Sequence, residues 1–167
     1  ALDRVLFRPL PYADPHRLVS VGLLGTAGGP LADTETMLDQ AYVQVWSATP
    51  APFESVAGMD TWTGDIAEER PEGGRCGPVD HTFLRVLGVR VALGPDFVAE
   101  DDLRGAPRVG LISHGLWVRR YGADPGAIGR TLNIAAGPGP IPHVRIVGVL
   151  PPDFEMPLEA ADILLPS

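Results

Sequence analysis

The stretch Val109-Gly-Leu-Ile-Ser-His-Gly-Leu-Trp-Val-Arg-Arg-Tyr-Gly-Ala-Asp-Pro-Gly-Ala-Ile-Gly-Arg-Thr-Leu-Asn-Ile134 decides the fold of the second half of this chain. Its first four residues are apolar and predict a short buried strand. Ser113 is placed to cap a helix over 114–121, and Gly122 is placed to end that helix in a left-handed conformation. The stretch therefore predicts a strand followed directly by a helix with both ends defined.

The same signals return a few residues later. Asp124 precedes Pro125, a residue favoured at the first helical position, and Gly129 supplies a second stop before a strand over 130–134. Apolar runs predict further strands over 17–24, 60–67, 75–79, 144–150 and 163–165. Helical spacing predicts helices over 38–48 and 53–57, and a third over 81–87 between Asp80 as its cap and Gly88 as its end. An acidic turn is expected over 68–74, and a loop over 137–142.

The strands over 109–112, 130–134 and 144–150 are predicted to share one sheet, covered on a face by the helix over 114–121. On that helix, Leu116 and Trp117 are expected to be buried, while Arg119 and Arg120 face mostly outward.

Composition excludes several classes of partner. The chain has 167 residues, a formal net charge of −8, 20 glycines and 18 prolines. A nucleic-acid partner and peripheral attachment to anionic lipid both need a basic surface, which this charge balance opposes. The chain has no lysine, which removes Schiff-base chemistry and a Walker-type phosphate loop. Its single cysteine, Cys76, cannot form an intrachain disulfide.

No catalytic, cofactor or metal site emerges from the motifs. Ser113 and His114 are adjacent at a helix start and cannot form a nucleophile–base pair with each other. The four histidines are scattered without the spacing of a metal pair. The acidic triplet over 100–102 is best explained as a solvated turn, and the glycine-rich stretch over 22–29 lacks the dinucleotide-binding spacing. We predict that the chain is not an enzyme and holds no cofactor or metal.

The N-terminal segment indicates a membrane connection. No run reaches the roughly 18–20 apolar residues that cross a bilayer. Residues 1–7 have a helix-compatible pattern, which Pro9 and Pro11 interrupt. We expect this segment to be the outer end of a longer helix.

Five ordered motifs resemble the MacB-like periplasmic core domain of ABC-type permeases. They lie at residues 6–19, 53–57, 83–97, 113–132 and 146–154. The chain departs from the family pattern in a longer loop over 135–142. It also stops at Ser167, before the strand–helix segment that leads back to a second membrane helix in the family.

The resemblance implies one extracytoplasmic α+β domain over 1–167 with two lobes. A membrane-proximal, porter-like strand–helix–strand lobe is expected over 1–88, and a β-rich lobe over 89–167. The implied parent is an integral membrane permease, with the domain on the periplasmic or extracellular face. Its implied partners are flanking transmembrane helices, an ATPase on the cytoplasmic side, and a second permease copy or an extracytoplasmic protein. Ala1 and Ser167 should lie towards the same end.

The sequence is compatible with two different functions. The first is a non-catalytic domain that couples transmembrane helix movement to export or to partner binding. The second is a ligand-sensing or substrate-binding domain with a cleft between its lobes. A hydrolase with unfamiliar spacing is a third, weaker alternative. Trp62, Trp117 and Arg120 are the candidates for a ligand or partner surface.

Overall fold

The computed structural model describes residues 12, 14–19, 48, 53–66, 72–135, 139–157 and 160–167. The strands in these ranges are β1 (Trp62–Ile66), β2 (Glu72–Val79), β3 (Val109–Ile112), β4 (Thr131–Ala135), β5 (Ile141–Val149) and β6 (Ile163–Pro166). The helices are α1 (Phe83–Leu87) and α2 (His114–Tyr121), and short 3₁₀ turns cover Pro15–Arg17, Ala99–Asp102 and Pro125–Ala127.

The six strands close into a barrel in the order β1-β2-β6-β3-β5-β4. β2 with β6 and β3 with β5 are parallel pairs, and the other neighbours are antiparallel. The predicted strands β3, β4 and β5 thus share one sheet, and the α+β class is confirmed. The barrel takes strands from both sides of residue 88. The assignment of a membrane-proximal lobe to 1–88 stays a prediction.

Two apolar clusters lie on opposite sides of the barrel wall. Alternate strand residues fill the interior, as the period of two in a strand requires: Ile66, Cys76, Ile112, Leu132, Ile134, Val144, Ile146, Val149, Ile163 and Leu165, with Leu116 of α2. A second cluster covers part of the outer face and includes Val79, Phe83, Leu84, Leu87, Val109, Leu111 and Leu164. α1 packs in this outer cluster, so the covered part of the wall is apolar on both faces.

The capping signals around α2 are confirmed. The Ser113 hydroxyl accepts a hydrogen bond from the Leu116 N–H at 3.1 Å, and Gly122 ends the helix at φ 61°. The Asp124 carboxylate accepts from the Gly126 N–H at 2.8 Å at the start of the following 3₁₀ turn. Gly129 adopts φ 89° before β4 begins.

The helix predicted over 81–87 starts two residues later, at Phe83. The N-cap is Thr82 and not Asp80, so the predicted cap is wrong. The Asp80 carboxylate instead accepts the Thr82 N–H at 2.9 Å, and its carbonyl accepts the Phe83 N–H at 3.0 Å. These bonds make a turn of residues 81–82 instead of helix. Gly88 ends the helix at φ 69°, as predicted.

The helix predicted over 53–57 is wrong, because these residues form no regular element. Backbone groups here form hydrogen bonds to residues distant in sequence instead. The Val56 carbonyl accepts the Thr82 hydroxyl at 3.2 Å, and the adjoining Gly58 N–H donates to Asp80 at 2.6 Å. β2 also begins at Glu72, inside the turn expected over 68–74, and β5 begins at Ile141, inside the expected loop.

Several predictions fall wholly or mainly outside the described residues. They are the helix over 38–48, the helical segment over 1–7, the position of Ala1 and most of the strand over 17–24. Within that last range, Arg17 closes a 3₁₀ turn and Leu18 is extended.

Candidate functional site

The best-defined surface of the described chain is built around α2, which packs over one end of the barrel. Ile112 ends β3 and α2 starts two residues later, so the Ser113 cap turns the chain sharply across the strand ends. Leu116 is fully buried in the interior cluster. α2 therefore closes this end of the barrel with an apolar side chain.

An ionic cluster joins the polar side of α2 to two strands. Arg119 bonds to Glu72 at the start of β2 and reaches Asp162, just before β6, at 3.1 Å. Its hydrogen bond to Glu72 is the main cause of a raised guanidinium pKa for Arg119. Arg120 lies 3.6 Å from the same Glu72 carboxylate. Two cations of the helix thus contact two carboxylates of the barrel.

Arg120 does not face outward, which corrects the expectation from the sequence. Its side chain is only 11% exposed, whereas that of Arg119 is 49% exposed. Arg120 follows Leu116 by four residues, and positions four apart lie on the same side of a helix. The burial of Leu116 therefore carries Arg120 towards the barrel, where Glu72 balances its charge.

Trp117 is half-buried rather than fully buried, and packs against the interior cluster. Its indole N–H donates to the Asp124 carbonyl at 2.9 Å, and its ring meets His114 edge-on with centroids 5.5 Å apart. Trp117 thus links α2 to the turn that follows the helix.

Trp62 lies on β1 and not on α2. It begins β1 opposite Cys76, while Ile66 at the other end of β1 pairs with Glu72, the partner of Arg120. Four residues of strand separate the ends by about 13 Å. The structure therefore brings Trp117 and Arg120 onto one helix, while Trp62 lies on β1 and packs against the interior cluster.

Two shallow grooves mark the described surface. One, of about 520 Å³, is lined by Thr63, Gly64, Asp65, Gly73, Gly74, Arg75, Ala160 and Asp162. The other, of about 420 Å³, is lined by Gly105, Ala106, Arg108, Pro142 and His143. Of the three predicted surface residues, none lines either groove.

A histidine–aspartate pair was not predicted from the sequence. His81 Nδ1 lies 2.6 Å from an Asp102 carboxylate oxygen, which also accepts the His81 backbone N–H at 3.0 Å. Burial raises the pKa of nearby Asp96, against the opposing charges of Arg85 and His81. No local spacing in the sequence predicts the pair, because one member lies in the turn that precedes α1 and the other in a separate 3₁₀ turn.

The pair holds two segments together, and a nucleophile is not part of it. The neighbouring Thr82 hydroxyl donates to Asp80 at 2.5 Å. Ser113, the hydroxyl considered from the sequence, caps α2. Within the described ranges, no group of three histidine, cysteine, aspartate or glutamate side chains is arranged to hold a metal ion.

The sequence profile of the MacB-like periplasmic core domain matches residues 10–167. The chain therefore belongs to this family, as the ordered motifs indicated, and the family places it outside the cytoplasm as a domain of a membrane permease. No curated protein matches it significantly.

Two solved structures share its fold. The periplasmic region of MacB from Actinobacillus actinomycetemcomitans superposes with a TM-score of 0.58 at 14% identity, over 76% of this chain and 54% of that one. The extracellular domain of the ABC-type transporter YknZ from Gram-positive bacteria gives 0.51 at 20% identity, over 68% and 54%. This chain spans about half the length of each structure. In the described part of the chain, no helix has the length and apolar character that a membrane crossing requires.

Proposed function

We propose that this chain is a non-catalytic domain that moves as one rigid body and couples transmembrane helix movement to export or to partner binding outside the membrane. The observation that carries the proposal is the closure of the barrel end by α2. Leu116 fills the interior, and Arg119 and Arg120 tie the same helix to β2 and β6. Because a close-packed interior resists compression, a displacement applied at one end of such a body reaches the other.

The partners in this proposal are those of an ABC-type permease. The flanking transmembrane helices drive the domain, an ATPase on the cytoplasmic side supplies the energy, and a second permease copy or an extracytoplasmic protein receives the movement. Family membership and the shared fold support this arrangement. The ion pairs of α2 agree with a non-catalytic role, because they join the helix to strands of the same domain.

Pulsed electron spin resonance on the full-length permease, reconstituted with its ATPase, tests the proposal. Cys76 and any cysteine in the rest of the permease are first changed to serine, so that only introduced thiols carry spin labels. Labels at Val118 and Arg90, both exposed, report a distance within one domain. A label at Val118 alone reports the distance between two permease copies.

We expect ATP to shift the distance between copies and to leave the distance within the domain unchanged, with ADP as the nucleotide control. Leu116→Ala should broaden the distances within the domain and reduce the ATP-driven shift. If ATP does not change the distance between the two copies, the proposed coupling is contradicted. A change within the domain on adding a small ligand would instead support the alternative, a ligand-binding domain.

A further inference from the structure

The groove lined by Gly105, Ala106, Arg108, Pro142 and His143 has an unusual backbone on one wall. His143 adopts φ 58°, a left-handed conformation that is uncommon for residues with a side chain. It lies where the register between β4 and β5 shifts, and its N–H donates to the Asn133 side chain at 2.8 Å. Such a conformation persists where its surroundings fix it, and it often marks a functional position.

Two arginines adjoin this wall. The Arg108 guanidinium donates to the Pro142 carbonyl at 3.3 Å, which places it at the groove. The Arg145 N–H donates to the Arg108 carbonyl at 2.9 Å, so the two arginine backbones are neighbours. His143 and Arg145 are both exposed on β5 and flank the buried Val144. Arg108 and His143 line the groove, and Arg145 lies beside it on the same exposed side of β5 as His143.

Carboxylates neutralise several other arginines of this acidic protein. Arg119, Arg120 and Arg130 each pair with an aspartate or glutamate. Over the ranges that the structure describes, no carboxylate forms an ion pair with Arg108 or Arg145. In a chain of net charge −8, this is a local positive surface next to a groove of about 420 Å³.

We propose that this groove binds a phosphate-type oxyanion, free or as a phosphate ester. Guanidinium groups present planar, paired donors that match phosphate oxygens, and such charge-assisted hydrogen bonds are stronger than neutral ones. Arg108 supplies these donors at the groove, His143 supplies one more from the same wall, and Arg145 adds a second guanidinium beside it. Glycine and alanine at positions 105 and 106 keep side chains out of the groove, so an ester group has room above the phosphate.

Calorimetric titration of the 167-residue chain tests the site with inorganic phosphate and glycerol 3-phosphate. Sodium chloride at the same ionic strength is the control titrant, because salt screens exposed charges. We expect saturable binding of both phosphates. The double variant Arg108→Gln/Arg145→Gln should lower the phosphate affinity about tenfold or more, because the loss of one hydrogen bond to a charged group is enough for a change of this size. His143→Asn, which keeps a residue tolerant of the left-handed conformation, should weaken it less.

Arg90→Gln is the matched control, because it removes an exposed arginine that does not line the groove. It should leave phosphate affinity within about twofold of the parent, given the screening of distant charges. Circular dichroism melts of every variant check that the fold is kept. Absence of phosphate binding, or equal losses in Arg90→Gln and the double variant, would overturn the proposal.

Vesicle sedimentation distinguishes the two sources of phosphate. Binding to phosphatidylglycerol-containing vesicles but not to phosphatidylcholine vesicles, lost in the double variant, assigns the site to a lipid headgroup. Binding of glycerol 3-phosphate without vesicle binding assigns it to a soluble ester. These results are independent of the coupling experiment, because its labels at Val118 and Arg90 do not line this groove.

Discussion

The Arg120 guanidinium lies 3.6 Å from the Glu72 carboxylate while only 11% of the Arg120 side chain is exposed. Arg119, the preceding residue of α2, bonds to the same carboxylate from a side chain that is 49% exposed. One carboxylate therefore balances a largely desolvated cation and a solvated one. Their contributions to stability should differ for this reason.

Glu72→Gln should lower the free energy of unfolding by about 1–3 kcal/mol, because it leaves the buried Arg120 without this carboxylate. Arg119→Gln should cost less than about 1 kcal/mol, as is usual for an exposed ion pair. Urea unfolding measures both changes. A double-mutant cycle of Glu72→Gln with Arg120→Gln should show coupling. Equal costs for Arg119→Gln and Arg120→Gln would contradict the difference in burial.

Replacing the cap of α2 should weaken the fold without further effect. Ser113→Ala removes the acceptor of the Leu116 N–H and should cost about 0.5–2 kcal/mol in urea unfolding. Ser113→Asp is the control, since aspartate is an equally good cap and should stay within about 0.5 kcal/mol of the parent. If the aspartate variant is as unstable as the alanine variant, the hydroxyl does not act as a cap.

The two faces of α2 should respond differently to truncation. Leu116→Ala opens a cavity in the barrel interior and should cost about 2–5 kcal/mol. Val118→Ala, on the 46% exposed side chain of the same helix, should change stability by less than about 0.5 kcal/mol. Thermal and urea unfolding measure both. A similar loss in the two variants would mean that α2 does not close the barrel as described.

The buried thiol should make the domain less stable in alkali. Burial raises the pKa of Cys76 from 9.0 to about 12, and Asp162 adds to the rise. The folded state therefore holds the proton that the unfolded chain releases, so stability is complete below pH 9 and falls as the pH rises towards 12. The free energy of unfolding, measured against pH, should show this decline.

Two variants separate the causes of that decline. Cys76→Ala should remove the part that begins near pH 9. Tyr12→Phe should remove a part that begins near pH 10, since burial also raises the pKa of Tyr12 from 10.0 to about 12. Native Cys76 should also react slowly with a thiol reagent at pH 8 and rapidly in urea. Fast reaction of the native protein would show that the thiol is not buried.

Local signals in the sequence predicted local structure well. The helix over 114–121, its Ser113 cap and its Gly122 stop were confirmed, because capping depends on backbone groups within a few residues. The helix over 53–57 failed for the complementary reason. Its backbone groups bond to Asp80 and Thr82, which lie more than twenty residues away in the sequence.

Helical periodicity alone could not place Arg120. The sequence shows that Leu116 and Arg120 share a side of α2, but a charged side chain is normally expected outside. Glu72, brought to the helix by β2, supplies a carboxylate that allows this arginine to be largely buried. The same holds for His81 and Asp102, which meet through segments that no spacing relates.

The sequence by itself determined the family, the capped strand–helix unit and the apolar pattern of the strands, because these rest on residue order and on short-range backbone bonding. The tertiary structure was needed to show that six strands close into a barrel in a non-sequential order, that α2 covers one end, and that Glu72 lies beside Arg119 and Arg120. These outcomes follow from pairing between distant strands. Such pairing depends on which apolar faces can be buried together, and this is determined by the whole chain and not by any single segment.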